Sequence, residues 1–451
     1  MRWLLGALMS TLFVSIFFTI QLQAEEVSIR FPVEKYTLPN GLVVLLAEDH
    51  SAPIISYQTW FRVGSKNEET GYTGLAHLFE HMMFTGTPRY KRDQFDAILQ
   101  MNGATNNAFT TNDYTAFYEN LPSSKLELVM DIEADRMVNL QVTAENLKSE
   151  REVVKEERRY RVDNNPMGVL QEALQDTAYK VHPYKWPVIG YMKDIDHITL
   201  EKAQEFYKTY YAPNNAVLVI AGDFKTKNAK SLIEKYYGPL HSSVIPQKAR
   251  PAEPLQTDAR SRFISRDVQN MTYILAYHVP GAGQYETYAL DLLASILGGG
   301  NSSRLYKRLV YTTQQATNVG AGNYSLQDPS LLQIYVTLKP GQGLNEAEQF
   351  TYTEVWRPRI QGVTESELSM AKKRVAKGYI DSLKTVFGKA ESLAQNEVLF
   401  GNYEEMFKDF SRYEKVTVPE IKAVAEKYLL PKQSTLVVLI PKTKKTKATQ
   451  E

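Results

Sequence analysis

The strongest chemical mark in the chain is five residues long: His77-Leu78-Phe79-Glu80-His81. Residues three and four apart share one face of a helix, so His77 and His81 can aim both imidazoles at one ion with Glu80 beside them. The chain holds only 7 His and no Cys, so any metal must be held by imidazoles and carboxylates. Thiolate sites, disulfides and cysteine nucleophiles are excluded. Apolar neighbours at Leu75, Leu78, Phe79, Met82, Met83 and Phe84 place this helix in or against a core. Buried polar groups need partners, and one zinc ion would serve all three. A helix carrying two surface histidines and a glutamate by chance would show the same spacing without those surroundings.

Catalytic zinc takes three protein ligands and keeps a position open, so a further ligand is required. The segment Ser149 to Arg158 offers Glu150 and Glu157, seven apart and therefore on one helix face, with Val153 and Val154 between them expected to pack inward. Glu152 and Glu156 point elsewhere. On spacing alone, the better reading of this stretch is a solvated helix laced with salt bridges.

The positioning elements are legible in outline. Strands are expected at Leu42 to Leu46 and Ile54 to Val63, a helix from near Thr73, strand-like text from Ala104 to Tyr118, and long charged helices over about Lys125 to Arg161. This alternation in blocks gives an α+β class. Tyr210-Tyr211-Ala212-Pro213 followed by Ala216 to Ile220 is echoed by Tyr428-Leu429-Leu430-Pro431 followed by Thr435 to Leu439, 218 residues on. Each copy is a helix closing on Tyr before a Pro and then a buried strand, which points to duplication and two similar domains in tandem. The expected boundaries are a first domain over 25–238, a linker over 239–258 rich in Pro, Ser and charge, a second domain over 259–441, and a disordered Lys/Thr-rich tail over 442–451.

A chain of 451 residues is long enough for two cores. With 23% charged residues and a formal net charge of +1, nothing in the balance points to nucleic acid or to an anionic membrane surface. Residues 1–24 read as an export signal: Arg2, an apolar run from Trp3 to Ile20, and Ala24 before Glu25-Glu26. A periplasmic location is expected, with an uncleaved membrane anchor as the alternative.

His77 to His81 runs H-x-x-E-H, the inverse of the commoner H-E-x-x-H. With Gly74-Leu75-Ala76 before it and Met82-Met83-Phe84-Thr85-Gly86-Thr87 after it, the segment resembles the metal helix of the pitrilysin/insulinase family, in the processing-peptidase-like branch that includes bacterial half-length exported members. Leu38 to Leu42, Asn106-Asn107-Ala108-Phe109-Thr110, His182-Pro183-Tyr184, Pro187 to Gly190 and Gly299 to Leu305 extend the likeness over nearly the whole mature chain. Glu157 lies 76 residues past His81, the separation at which that family places its third ligand, and Glu150 falls on a supporting glutamate.

The resemblance implies two tandem homologous α/β-sandwich domains, with one zinc per chain held only in the first, by His77, His81 and Glu157. It implies Glu80 as the base for a metal-activated water, Glu150 in support, and a peptide substrate bound in extended form along Asn107, Ala108 and Phe109 inside an enclosed chamber. The family's second domain supplies an Arg and, seven residues later, a Tyr that face the zinc. Arg308 can be laid on that Arg, but Gln315 stands seven residues later, and a two-residue insertion reaches only Thr317. Tyr311 and Tyr324 are off register. This departure implies a metal-bearing member of a pair: a dimer with a related subunit that carries the Arg and Tyr, or else a homodimer or monomer in which Tyr311 or a main-chain amide takes that part. The alternative is a non-catalytic scaffold subunit of the same fold, which would have no use for an intact Glu80.

Overall fold

The computed structural model describes residues 30–246 and 250–442, so the expected signal at 1–24 and all but the first residue of the expected tail lie outside the described residues. The first half runs β1 (Glu34–Thr37), β2 (Val43–Glu48), β3 (Ile54–Phe61), α1 (Leu75–Met82), α2 (Arg92–Met101), β4 (Thr105–Thr110) and β5 (Thr115–Pro122). It continues through α3 (Leu126–Asn139), α4 (Ala144–Arg158), α5 (Pro166–Ala178), α6 (Met192–His197), α7 (Leu200–Tyr210), β6 (Ala216–Gly222) and α8 (Thr226–Tyr237). The second half holds β7 (Arg260–Arg266), β8 (Thr272–Val279), α9 (Tyr285–Gly298), β9 (Ala316–Tyr324) and β10 (Ser330–Leu338). After these come α10 (Leu344–Gln361), α11 (Glu365–Ser382), α12 (Val386–Phe400), α13 (Met406–Lys415), α14 (Val418–Tyr428) and β11 (Ser434–Pro441).

The strands form two mixed sheets of α+β type. Their orders are β1-β2-β6-β3-β5-β4 and β7-β11-β8-β10-β9. Without β1 the two are the same sheet: β2 is parallel to β6 as β7 is to β11, and the other pairs are antiparallel. The sequence echo is the last step of each copy, α7 into β6 and α14 into β11, each through a short turn opened by Pro213 or Pro431.

Every residue of β6 (AVLVIAG) is buried, because both faces of the sheet are covered, as a continuous apolar strand requires. Leu218 and Ile220 face a core shared with α1, α3, α7 and α8. Val217, Val219 and Ala221 face the other way, onto Val386, Ala390, Leu393, Ala394 and Val398 of α12. That cover comes from the second half of the chain. The reverse holds on the second sheet, where Ile274, Ala276, Val437 and Leu439 pack on Leu170, Ala173, Leu174 and Ala178 of α5, which belongs to the first half. The halves thus exchange one helix each.

Polar contacts reinforce the exchange. Lys35 reaches Glu397 at 2.7 Å, and Lys389 reaches Asp49 at 2.5 Å. A buried Lys66–Asp113 pair at 2.5 Å is closed from the second half by the Gln327 side chain, while the Gln327 backbone N–H donates to Asp113 at 2.9 Å.

Since each sheet is incomplete without a helix from the other half, the chain should unfold as one unit. Leu170→Ala on α5 and Leu393→Ala on α12 each truncate a fully buried side chain and should cost about 2–5 kcal/mol. Scanning calorimetry should show one transition, lowered in both variants; two transitions, each moved by only one of the substitutions, would mean that the halves are independent.

Candidate metal centre

Helix α1 turns Leu75, Leu78, Phe79 and Met82 into the core, where Phe79 stacks on Phe206 and Tyr207. His77, Glu80 and His81 occupy the opposite side. The start of α1 is held by Glu68, whose buried carboxylate accepts the N–H groups of Gly74 and Ala76, each at 2.8 Å. These bonds satisfy two of the backbone donors that a helix start leaves without an intrahelical partner. Gly74 has φ +94° and Gly190 φ +81°, and they lie against each other; a Cβ on Gly190 would stand 2.4 Å from the Thr73 carbonyl oxygen. Helix α4 is docked by the same loop, because the buried Arg158 donates to the Gly190 carbonyl at 2.7 Å and pairs with Glu172 at 2.8 Å.

These supports bring His77, His81 and Glu157 together with ligand atoms within 4.8 Å of one another. Glu157 Oε2 lies 3.0 Å from His81 Nε2 and 3.6 Å from His77 Nε2. Glu150, two turns earlier on α4 and buried, approaches His81 Nδ1 at 3.8 Å with one oxygen and takes Arg92 at 2.5 Å with the other. Of the two valines expected to pack inward between them, only Val154 is buried; Val153 is 46% exposed. That expectation is corrected. The two valines flank the direction shared by Glu150 and Glu157, 100° apart, and the buried stripe of α4 runs through Leu147, Glu150, Val154 and Arg158, on the Val154 side.

The electrostatics fit a metal. Burial, with the charge on His81 added, pushes the His77 imidazole down to about 4, so it is the neutral donor that a ligand must be. Burial would also lower His81, but Glu157, Glu80 and Glu150 outweigh it and raise it. The bond to His81 in turn holds Glu157 below the usual carboxylate range. Three Lewis bases therefore converge on a space where only a shared proton or a cation relieves their repulsion. Two imidazoles and a carboxylate without sulfur are a donor set for catalytic zinc.

Beside them Glu80 is pushed up by burial and accepts a hydrogen bond from the Thr110 hydroxyl at 2.6 Å. Thr110 ends β4, the strand at the open edge of the first sheet. Asn107, Ala108 and Phe109 on β4 line the same cleft of about 490 Å³ as the histidines, Glu80 and Glu157. Arg308 does not line it. That residue sits on a π-helical turn in the second half, with its guanidinium 4.2 Å from the Phe350 ring, and Tyr311 is exposed. The sequence carried no local mark for Glu68 or Arg92, and Thr110 closed the Asn106 to Thr110 motif without an assigned part; the three act from separate elements. Arg161 also lines the cleft and was legible only as a charge four residues past Glu157.

Residues 43–191 match the family described as Insulinase (Peptidase family M16), and residues 197–375 match the Peptidase M16 inactive domain. The zinc protease PqqE of Helicobacter pylori is 32% identical over 419 residues, which cover 90% of this chain and 93% of that protein. The crystal structure of a protease from Helicobacter pylori superposes with a TM-score of 0.87 at 30% identity, over 91% of this chain and 100% of that one. The periplasmic protease PqqL of Escherichia coli gives a TM-score of 0.75 at 19% identity, over 92% of this chain and 48% of that one.

Replacement of single carboxylates on α4 distinguishes their parts. Glu157→Gln should weaken zinc binding more than about 100-fold and Glu150→Gln by about 10- to 100-fold. Glu156→Gln, on an exposed side chain paired with Arg159, should leave it unchanged. Metal content and competition with a chelating dye measure this; equal losses from Glu156 and Glu157 would contradict the geometry.

Proposed function

We propose, since the chain belongs to the insulinase (M16) family and is a zinc protease, that it is an endopeptidase taking peptides in extended form, with one zinc per chain. The observation that carries this reading is the placement of the Glu80 carboxylate between the His77, His81 and Glu157 donors and the open edge strand β4. When bound by those three residues, zinc supplies Lewis acidity for a scissile carbonyl and a water molecule.

The remaining work falls to the chain itself. Glu80 accepts a proton from the attacking water and returns it to the leaving amine, so that water adds across the C–N bond. Burial raises Glu80 towards that task, and the Thr110 hydroxyl fixes one oxygen so that the other is presented to the reactants. Strand β4 pairs only with β5, which leaves its outer backbone groups to a substrate strand. Main-chain pairing fixes the register of such a strand while the side chains in the cleft select among peptides.

The group that helps polarise the carbonyl comes from a second chain. Arg308 is engaged with Phe350 away from the cleft, and no tyrosine is among the cleft-lining residues. A dimer, with a related subunit that brings an Arg and a Tyr, would complete the site and enclose the peptide. We place the protein outside the cytoplasm, in the periplasm, from the apolar residues at its start. No helix among the described residues is long and apolar enough to cross a membrane, and the likeness to a periplasmic protease supports the location.

Two measurements test the reading. Glu80→Gln should keep its zinc and lose about 10²- to 10⁴-fold in turnover of a fluorogenic peptide; cleavage at the unmodified rate would sink Glu80 as the base. The purified chain alone should cleave about 10²- to 10³-fold more slowly than with its partner, the worth of one oxyanion donor. A monomer or homodimer whose activity does not change on adding a related subunit would reject the paired arrangement and leave the zinc chemistry standing.

A further inference from the structure

We propose that Arg161 binds a carboxylate of the substrate next to the scissile bond, giving the cleft a preference for acidic peptides. The inference rests on the protease reading above and concerns which peptides that site accepts. Among the residues lining the cleft, Arg161 is the only arginine and none is lysine. It stands four residues past Glu157 on a π-helical turn, Arg159–Asp163. Its Nε lies 2.9 Å from Glu157 Oε1, while the other oxygen of that carboxylate faces the two histidines.

The remainder of the guanidinium is uncommitted. Arg158 is buried against Glu172 and Asp163, and Arg159 pairs with Glu156. The Arg161 side chain is 69% exposed, against 17% for Glu157, and among the described residues it pairs with no second carboxylate. A planar fork held at one nitrogen and open at the others suits bidentate capture of a carboxylate.

The turn beneath it is tightly packed. Helix α5 begins under an Asn165 side chain that accepts the Met167 and Gly168 N–H groups. The backbone of α5 approaches the turn so closely that a Cβ on Gly168 would lie 2.3 Å from the Arg161 carbonyl oxygen and 2.6 Å from Val162 Cα. A firmly held base and an exposed head make a recognition group, whereas a residue needed only to orient Glu157 could be buried with it.

The carboxylate can be an internal Asp or Glu side chain or the free end of a peptide, and the test separates these. Zinc-loaded full-length protein, Arg161→Gln and Arg161→Lys are assayed on matched fluorogenic peptides: one with Glu beside the scissile bond and an amidated end, one with Gln and an amidated end, and one with Gln and a free C-terminus close to the bond. The same peptides are titrated by fluorescence anisotropy against the zinc-loaded Glu80→Gln protein, with and without Arg161→Gln, so that selection is read whether or not turnover occurs. The unmodified protein should favour one of the acidic peptides over the amide by about ten- to a hundredfold, the worth of a charge-assisted hydrogen-bonded pair. Arg161→Gln should erase that ratio in both cleavage and binding, and Arg161→Lys should keep part of it. Because the readout is a ratio between peptides at equal zinc loading, loss of the Glu157 contact does not move it. No acidic preference, or one that survives Arg161→Gln, overturns the proposal and leaves Arg161 as a support for Glu157. Selective binding without cleavage of any peptide would keep the carboxylate site and instead reject the protease reading.

Discussion

Two sheets, each apolar on both faces, constrain everything else in this molecule. A two-faced sheet must be covered twice, and here the second cover crosses from the other half: α12 lies on β2, β3 and β6, and α5 lies on β8 and β11. The candidate metal ligand Glu157 stands one residue before the end of α4, from which the chain departs for the opposite sheet. The π-helical turn at Arg159–Asp163 is that departure. The ligand helix and the crossing helix are therefore held by one set of contacts, with Arg158, Gly190 and Gly168 at its centre.

Once His81 gives up its proton, as a metal donor must, the site carries more negative charge than its own cations answer. Glu80, Glu150 and Glu157 surround His77 and His81; Arg92 is engaged with Glu150 and Arg161 with Glu157, and burial keeps His77 neutral. A dication placed among the donors removes this imbalance without moving the backbone, because Glu68 and the Gly74–Gly190 contact fix α1 from outside the cleft. Catalytic zinc takes three protein ligands and keeps one position open, and His77, His81 and Glu157 offer three donors here.

Much of this was legible in the sequence because it is local. The i, i+4 spacing of His77 and His81 marked one helix face, and the echo at Tyr210 and Tyr428 marked two copies of one sheet topology. The choice of Glu157 needed the likeness to a known family, since the four glutamates between Ser149 and Arg158 look alike to a periodicity argument. The reading failed at Val153, because adjacent residues point 100° apart and the buried stripe of α4 passes on the Val154 side of the two glutamates. The helix exchange had no local mark. The apolar stripes of α5 and α12 say that each must be covered, yet nothing in a stripe names the sheet that covers it. The supports Glu68 and Thr110 were hidden likewise, because each acts on α1 from a different element.

The exchanged helices also recast what holds the chain together. If the peptide bond were cut between the halves, each fragment would carry a sheet with one bare face and a helix shaped for the other fragment's bare face. The two would then be obligate complements, like the subunits of a domain-swapped dimer, joined by area and not by covalent continuity. The linker keeps their local concentration high and adds contacts of its own, with Glu253 accepting the N–H groups of Lys180, Val181 and His182 and Gln256 donating to the Ser434 carbonyl. Seen so, the single polypeptide is a tethered heterodimer of two copies of one sheet topology, each covering the other, with the candidate metal cluster in the first.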